Sequence, residues 1–205
     1  MNEVIEILTK VGAIIKDSHF VGTSGLHFDT YINKDVLYPH TKETSQICEI
    51  YAEKYKDKDI QVVVGPALGG IILSQWVTHH LNKMGSSTLA VYTEKTPDGG
   101  QVFTRGYDKL VKGKRVLIVE DNISTGGSIM KVVNTVKGAG GIIITACAMV
   151  NRNKDVTSKT LGVPFEALSD FEVPLYSPED CPLCKSGVPI NTTLGHGKKF
   201  LESKK

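Results

Sequence analysis

Two adjacent carboxylates, Glu120 and Asp121, follow an apolar run, Val116 to Val119, and precede a loop of Asn122, Ile123, Ser124 and Thr125 that leads into Gly126, Gly127 and Ser128. The apolar run predicts a buried strand, and the residues from Gly126 onward predict a helix. A helix start carries unpaired N–H groups and the positive end of its dipole, so it draws anions. Gly126 and Gly127 let a phosphate approach the backbone because no Cβ stands in the way. Hydroxyls from Ser124, Thr125 and Ser128 add donors. Acids beside such a cradle repel a phosphate unless another group lies between them. Sugar hydroxyls can serve, and so can a hydrated Mg²⁺ held through a carboxylate and ligand oxygens. A ribose 5-phosphate meets both demands, with its phosphate in the loop and its hydroxyls over the acids. The competing reading is a strand-to-helix turn with incidental acids; the tight order of the parts favours a sugar-phosphate site.

A second junction has the same grammar. QVVVG at 61–65 predicts a short buried strand, GPALGG follows, and Ile71 to Met84 predict a helix. The Lys and Ser/Thr of a P-loop are missing. In open α/β sheets the carboxyl ends of parallel strands converge on one crevice. The loop of Ala67, Leu68, Gly69 and Gly70 could therefore offer backbone N–H groups to a second anion, a pyrophosphate. Residues 94–106, EKTPDGGQVFTRG, predict a mobile loop or an extended hairpin able to close over the site. Lys95 and Arg105 are the cations placed to meet a leaving pyrophosphate, if they are not simply solvated. Arg152, just past a predicted strand at Ile142 to Val150, has a planar fork of donors suited to a carboxylate or to the paired carbonyls of a base. Its alternative is a pairing with a surface acid.

Strands near 61, 89, 115 and 142, alternating with helices, define a parallel α/β sheet with helices on both faces. Residues 2 to about 16 carry apolar positions at helical spacing, and 41–55 predict a second amphipathic helix. Between them, SHFVGTSGLHFDTYINK predicts a small antiparallel unit. FEVPLY at 171–176 predicts a late edge strand, because Pro174 cannot donate to a ladder. The turn-rich tail ends in basic residues expected to be loose. No internal repeat or domain boundary is evident, so 1–205 is expected to form one domain. Within it, 1–40 and 165–205 build a hood over the crevice.

The 205 residues, 40% apolar and 22% charged, suffice for a substantial core. A net charge of +2 and the lack of a basic helix or an aromatic-basic surface give no reason to expect a nucleic-acid partner. No apolar stretch is long enough for a membrane span and no leader pattern opens the chain, so a cytoplasmic location is the expectation. Cys48 and Cys147 fall in predicted buried elements. Cys181 and Cys184 form one C-x-x-C, half of a zinc site with no second half of matching spacing. His196 could add a ligand, and a subunit contact could complete the set; otherwise these are two reduced thiols in a turn.

VLIVEDNISTGGS closely resembles the 5-phospho-α-D-ribosyl 1-diphosphate (PRPP) motif of the type I phosphoribosyltransferases. Nearly the whole chain resembles the orotate-using branch of that family. TSGLHFDTYI resembles its N-terminal base-binding segment, GPALGGI its pyrophosphate loop, the Asn151-Arg152 pair its Asp-Arg, and VPLYSPEDCPLCKSGVPI the tail of one bacterial branch. The chain departs from the branch in Thr23 before the Ser-Gly turn, in Gly69 within the pyrophosphate loop, in a loop without His, and in Asn151. The resemblance implies the type I phosphoribosyltransferase fold. It implies transfer of ribose 5-phosphate from PRPP to orotate, with purine or uracil transfer or a non-catalytic PRPP-binding regulator as alternatives. It implies Mg²⁺ brought with PRPP rather than held by side chains alone, and a homodimer in which the loop reaches the neighbouring site. Residues 120–128 would then bind PRPP, with Asp121, Lys95 and Arg105 catalytic. Ser124, Arg152 and Phe28 would face the base.

Overall fold

The computed structural model describes residues 2–203. Helix α1 (Glu3–Lys10) is capped by the Asn2 side chain, which accepts from the Val4 N–H, and buries Val4, Ile5, Ile7 and Leu8. It stops earlier than its apolar pattern suggests. Gly12 takes φ +74, and Ile14 and Ile15 leave as a short strand, β1 (Ile14–Ile15). Three more two-residue strands follow: β2 (Phe20–Val21), β3 (His27–Phe28) and β4 (Tyr31–Ile32). β1 pairs antiparallel with β4, and β2 with β3, as the turn residues predict. Helix α2 (Lys34–Leu37), begun by an Asn33 side-chain cap, leads into α3 (Thr41–Tyr55).

The sheet is then laid down by β5 (Val62–Pro66), β6 (Leu89–Lys95), β7 (Gln101–Val102), β8 (Arg115–Ile123), β9 (Ile142–Asn151) and β10 (Phe165–Asp170). Helix α4 (Gly69–Lys83) connects β5 to β6, α5 (Tyr107–Val111) precedes β8, α6 (Gly127–Gly138) connects β8 to β9, and α7 (Ser158–Leu161) precedes β10. The spatial order is β10-β9-β8-β5-β6-β7, parallel except for the β6–β7 hairpin. β8 shows why its sequence is continuously apolar. Leu117 and Val119 join the core under α3 and α4, while Val116 and Ile118 join the core under α6. A strand covered on both faces has no polar side to display.

The chain runs outward from β5 to β6 and then returns to β8 on the other side of β5. Neighbouring strands that depart in opposite directions leave a crevice at their carboxyl ends. The β5–β8 ladder ends at Val64 and Ile118, so the ends of the two strands diverge there.

The edge strand differs from expectation. Residues 171–175 are irregular, and Tyr176 forms one isolated bridge, with His27. The ladder is completed instead by FEALSD of β10, parallel to β9. Pro174 interrupts the later segment, whereas β10 begins just after Pro164, whose carbonyl already accepts from the Ala146 N–H. The tail is also more ordered than its composition suggests, with α8 (Pro182–Lys185) and α9 (Gly197–Glu202). Lys204 and Lys205, the last of its basic residues, lie outside the described residues. The tail packs on the N-terminal hairpin: the Asn191 N–H donates to the His19 carbonyl and the His196 N–H to the Val21 carbonyl. No helix among the described residues is long and apolar enough to cross a membrane.

Candidate active site

The crevice lies where the topology places it, as two joined lobes. A lobe of about 680 Å³ is lined by Pro66 to Gly69, Lys95 and Glu120, and a lobe of about 520 Å³ by Ser24, Phe28, Arg152 and Lys131. Asp121, Asn122, Ser124, Ser128, Lys34 and Lys95 belong to both. A small recess beside them is walled by the 122–129 loop.

Glu120 and Asp121 are buried at the end of β8. Glu120 Oε1 accepts from the Asp121 N–H at 3.1 Å, and Asp121 Oδ1 accepts from the Asn122 N–H at 2.6 Å. Tyr38 donates its hydroxyl to Asp121 Oδ2 at 3.3 Å, and Lys34 Nζ stands 3.9 Å from the same oxygen. Burial, then the neighbouring Asp121 charge, holds the Glu120 carboxyl well above the usual carboxylate range. Burial also raises Asp121, with Lys34 pulling the other way. Burial depresses the Lys34 ammonium, but Asp121 and Asp35 more than offset this and leave it raised. Two desolvated acids side by side call for hydroxyl donors or a cation. Lys34 and Tyr38 carry no motif of their own. Their signal is the Asn33 cap, which starts a one-turn helix with both side chains on the same side.

Both loops end in helices that lack a side-chain cap. The residue before α6 is Gly126 at φ +75, a left-handed position that favours glycine. A Cβ there would press on Val156. The residue before α4 is Leu68, and the Ala67–Leu68 peptide is cis. Leu68 is exposed while Gly69 and Gly70 are buried. Gly69 has a specific reason to be glycine: a Cβ would collide with the Asp121 carboxylate and the Tyr38 hydroxyl. Gly69→Ala is expected to raise the KM for PRPP, the ligand that the sequence resemblance implies, about 10-fold or more by displacing Asp121. Steady-state kinetics with PRPP varied checks this, and an unchanged KM would refute it.

In the second lobe the Arg152 guanidinium lies 4.5 Å over the Phe28 ring. Arg152 is buried, its Nε has no hydrogen-bond partner, and an NH2 donates to the Thr30 carbonyl at 3.4 Å. Burial lowers its pKa, and no ion pair involving it occurs among the described residues. Ser124 lines both lobes, between this guanidinium and the acids in the chain's path.

Not every candidate meets in the crevice. The 94–106 segment is a hairpin, with Glu94 opposite Val102 and Lys95 opposite Gln101. Lys95 faces the lobes, whereas Arg105 lies outside their lining. Its Nε donates to Glu94 Oε1 at 3.1 Å, and Thr104 also donates to that carboxylate oxygen. Ile123 turns into the core beneath α6 and offers the loop only its backbone. His196 bonds Thr23 through Nε2 at 3.1 Å and stands apart from Cys181 and Cys184.

A parallel sheet thus brings a buried carboxylate pair and an open glycine-led helix start together at its topological switch. The family described as phosphoribosyl transferase domain matches residues 35–163, and the chain belongs to it: it is a phosphoribosyltransferase. Nearly full-length relatives include orotate phosphoribosyltransferases. It is 36% identical to that of Desulforamulus reducens over 187 residues, 91% of this chain and 93% of the relative. It is 35% identical to that of Thermotoga maritima over 195 residues, 95% of this chain and 98% of the relative. The solved structure of Mycobacterium tuberculosis orotate phosphoribosyltransferase in complex with PRPP shares the fold. Its TM-score is 0.61 at 21% identity, over 82% of this chain and 94% of that one.

Proposed function

We propose that this chain transfers the ribose 5-phosphate of PRPP to a ring nitrogen of orotate, giving orotidine 5′-phosphate and pyrophosphate in pyrimidine synthesis. The observation that carries the choice of base is Arg152. A buried guanidinium with an unpartnered Nε and no ion pair, stacked on Phe28, is suited to a flat anionic ligand that brings its own carboxylate. Orotate is such a ligand; hypoxanthine, xanthine and uracil lack the carboxylate.

The remaining roles follow from position. Thr125, Gly126, Gly127 and Ser128 hold the 5′-phosphate at the start of α6. Glu120 and Asp121 accept from the ribose hydroxyls, and their charge favours the oxocarbenium-like carbon as the pyrophosphate departs. Asn122 Oδ1, buried without a partner, is available to a hydroxyl donor. Ala67 to Gly70 and Lys95 receive the pyrophosphate. Arg105, tied to Glu94, could join them only if the hairpin rearranged. The raised, desolvated carboxylates suit a site that also accommodates Mg²⁺. Bound with PRPP, the ion would supply charge neutralisation to the leaving group. Ser124 and Phe28 bound the base from two sides. The reading carries with it one domain over 1–205 with its two ends as the hood. It also carries a cytoplasmic setting and a homodimer in which the β6–β7 hairpin approaches the partner's site, all supported by the family resemblance.

The test is PRPP-dependent consumption of orotate, hypoxanthine, xanthine and uracil by the purified protein. We expect kcat/KM for orotate to exceed the others by about 10³ or more. Consumption of a purine with no loss of orotate absorbance would overturn the assignment.

A further inference from the structure

Among the described residues, one cluster of metal-binding side chains lies outside the crevice. His19 Nε2 and His27 Nδ1 are 2.8 Å apart. Cys181 Sγ is 3.6 Å from His19 Nε2, and Cys184 Sγ is 3.8 Å from His19 Nε2 and 3.4 Å from His27 Nδ1. All four ligand atoms fall within 4.8 Å of one another. Zinc bonds of about 2.0–2.1 Å to nitrogen and about 2.3 Å to sulfur give tetrahedral edges of about 3.3–3.8 Å, so shifts of about 1 Å or less would meet them.

We infer that His19, His27, Cys181 and Cys184 form a structural zinc site that fastens the N-terminal hairpin to the C-terminal tail. Two thiolates and two imidazoles in a tetrahedron suit zinc, and four protein ligands leave no open position for catalysis. The inference stands apart from the transfer reaction and does not depend on which base is used.

Two of the four ligands have surroundings that suit a metal. His19 Nδ1 is 2.8 Å from the Val188 carbonyl, which can only accept. The proton therefore sits on Nδ1, and the Nε2 lone pair points into the cluster, the orienting bond that metal-bound histidines commonly make. The Cys184 N–H donates to Cys181 Sγ at 3.5 Å, which holds the sulfur in place at the start of α8. Pro182 opens α8 and Gly187, at φ +68, closes the turn after it, which sets both sulfurs toward the histidines. Cys181, His19 and His27 are buried, Cys184 stands at the surface as a route of entry, and the Phe200 ring lies against His27 at 4.8 Å.

The backbone brings the two halves together independently of the ligands. His27 exchanges two hydrogen bonds with Tyr176, ahead of the cysteines, and the His19 carbonyl accepts from Asn191, beyond them. Strand alternation then connects this site to the crevice. Successive residues point to opposite faces. Phe20 and Phe28 stack at 5.9 Å on one face of the hairpin, with Phe28 beneath Arg152, and His19 and His27 meet on the other. A metal on the histidine face thereby fixes the strand that presents Phe28 to the base lobe.

The test uses the full chain, without an affinity tag, expressed with zinc in the medium. Metal analysis after gel filtration is expected to give about one zinc per chain, falling below about one tenth in Cys181→Ser/Cys184→Ser and in His19→Ala. Cobalt substitution of the wild type is expected to give the visible bands of tetrahedral Co²⁺ with near-ultraviolet thiolate charge transfer. That reading decides the matter even if the variants do not fold. Wild-type protein with no bound zinc and an octahedral cobalt spectrum would overturn the inference. So would a Cys181–Cys184 disulfide in the isolated protein, or zinc content untouched by the substitutions.

Discussion

Asp121→Asn is expected to lower turnover by about 10²–10³ while the protein keeps its fold. The carboxylate is held from three sides, by the Asn122 N–H, the Tyr38 hydroxyl and Lys34, so its position is set before any ligand arrives. Asparagine keeps the shape and removes the charge that favours the oxocarbenium-like carbon. Single-turnover kinetics with PRPP and orotate checks this, and a turnover within a few-fold of wild type would remove Asp121 from the mechanism. The neighbouring acid adds a signature in stability. Glu120 has a folded-state pKa raised by burial and by Asp121. The stability associated with its neutral form is fully present below the ordinary carboxylate pKa and is lost as pH rises through the raised value. Glu120→Gln removes that loss. The ligand-free variant should melt roughly 3–6 °C above wild type near neutral pH, with the difference shrinking toward acid, even as its affinity for PRPP falls. Thermal melts across pH measure it; equal melting temperatures at neutral pH would count against a desolvated Glu120 carboxyl with a raised pKa.

Arg152→Met is expected to lower kcat/KM for orotate by about 10³ and to leave PRPP binding nearly as it is. The variant keeps a long apolar stem to lie on Phe28 and loses the forked donors. Because wild-type Arg152 is buried without an acidic partner among the described residues, its removal leaves no carboxylate there stranded, and the protein should be no less stable. Calorimetric titration with PRPP separates the two effects. Equal losses for PRPP and orotate would place Arg152 in general scaffolding rather than at the base.

Much of this site was readable from the chain because its chemistry is local. Glu120 to Ser128 are consecutive, and strand, acids, loop and helix follow one another at fixed steps, so their types alone imply their geometry. The parallel core was readable for the same reason: β8 and β9 are apolar runs long enough to be covered on both faces. What escaped depends on distant partners. Lys34 and Tyr38 acquire meaning only where α2 passes Asp121, 83 residues away for the Tyr38 bond. Arg105, a cation further along the loop than Lys95, is turned away from the crevice by its bond to Glu94, which sequence order does not reveal. The late strand lies at Phe165 to Asp170, which has the open ladder beside it, and not at Phe171 to Tyr176, which has the better strand composition. His196 is nearer the cysteines in sequence than His19 or His27, yet the fold brings the latter pair to them.

The joining of the chain's two ends also orders events in time. The His19 and Val188 groups that bond are 169 positions apart, and the Thr23 and His196 groups 173. During synthesis the N-terminal hairpin is made before the central sheet, but its backbone partners at Tyr176 and Asn191 are made after that sheet. The central sheet has its strands in hand earlier. The sheet that carries Glu120 and Asp121 is therefore made in full before the hairpin that carries Phe28 is fastened, and a chain cut short ahead of Tyr176 would retain β5 through β10 while leaving Phe28 on a hairpin without its Tyr176 and Asn191 anchors.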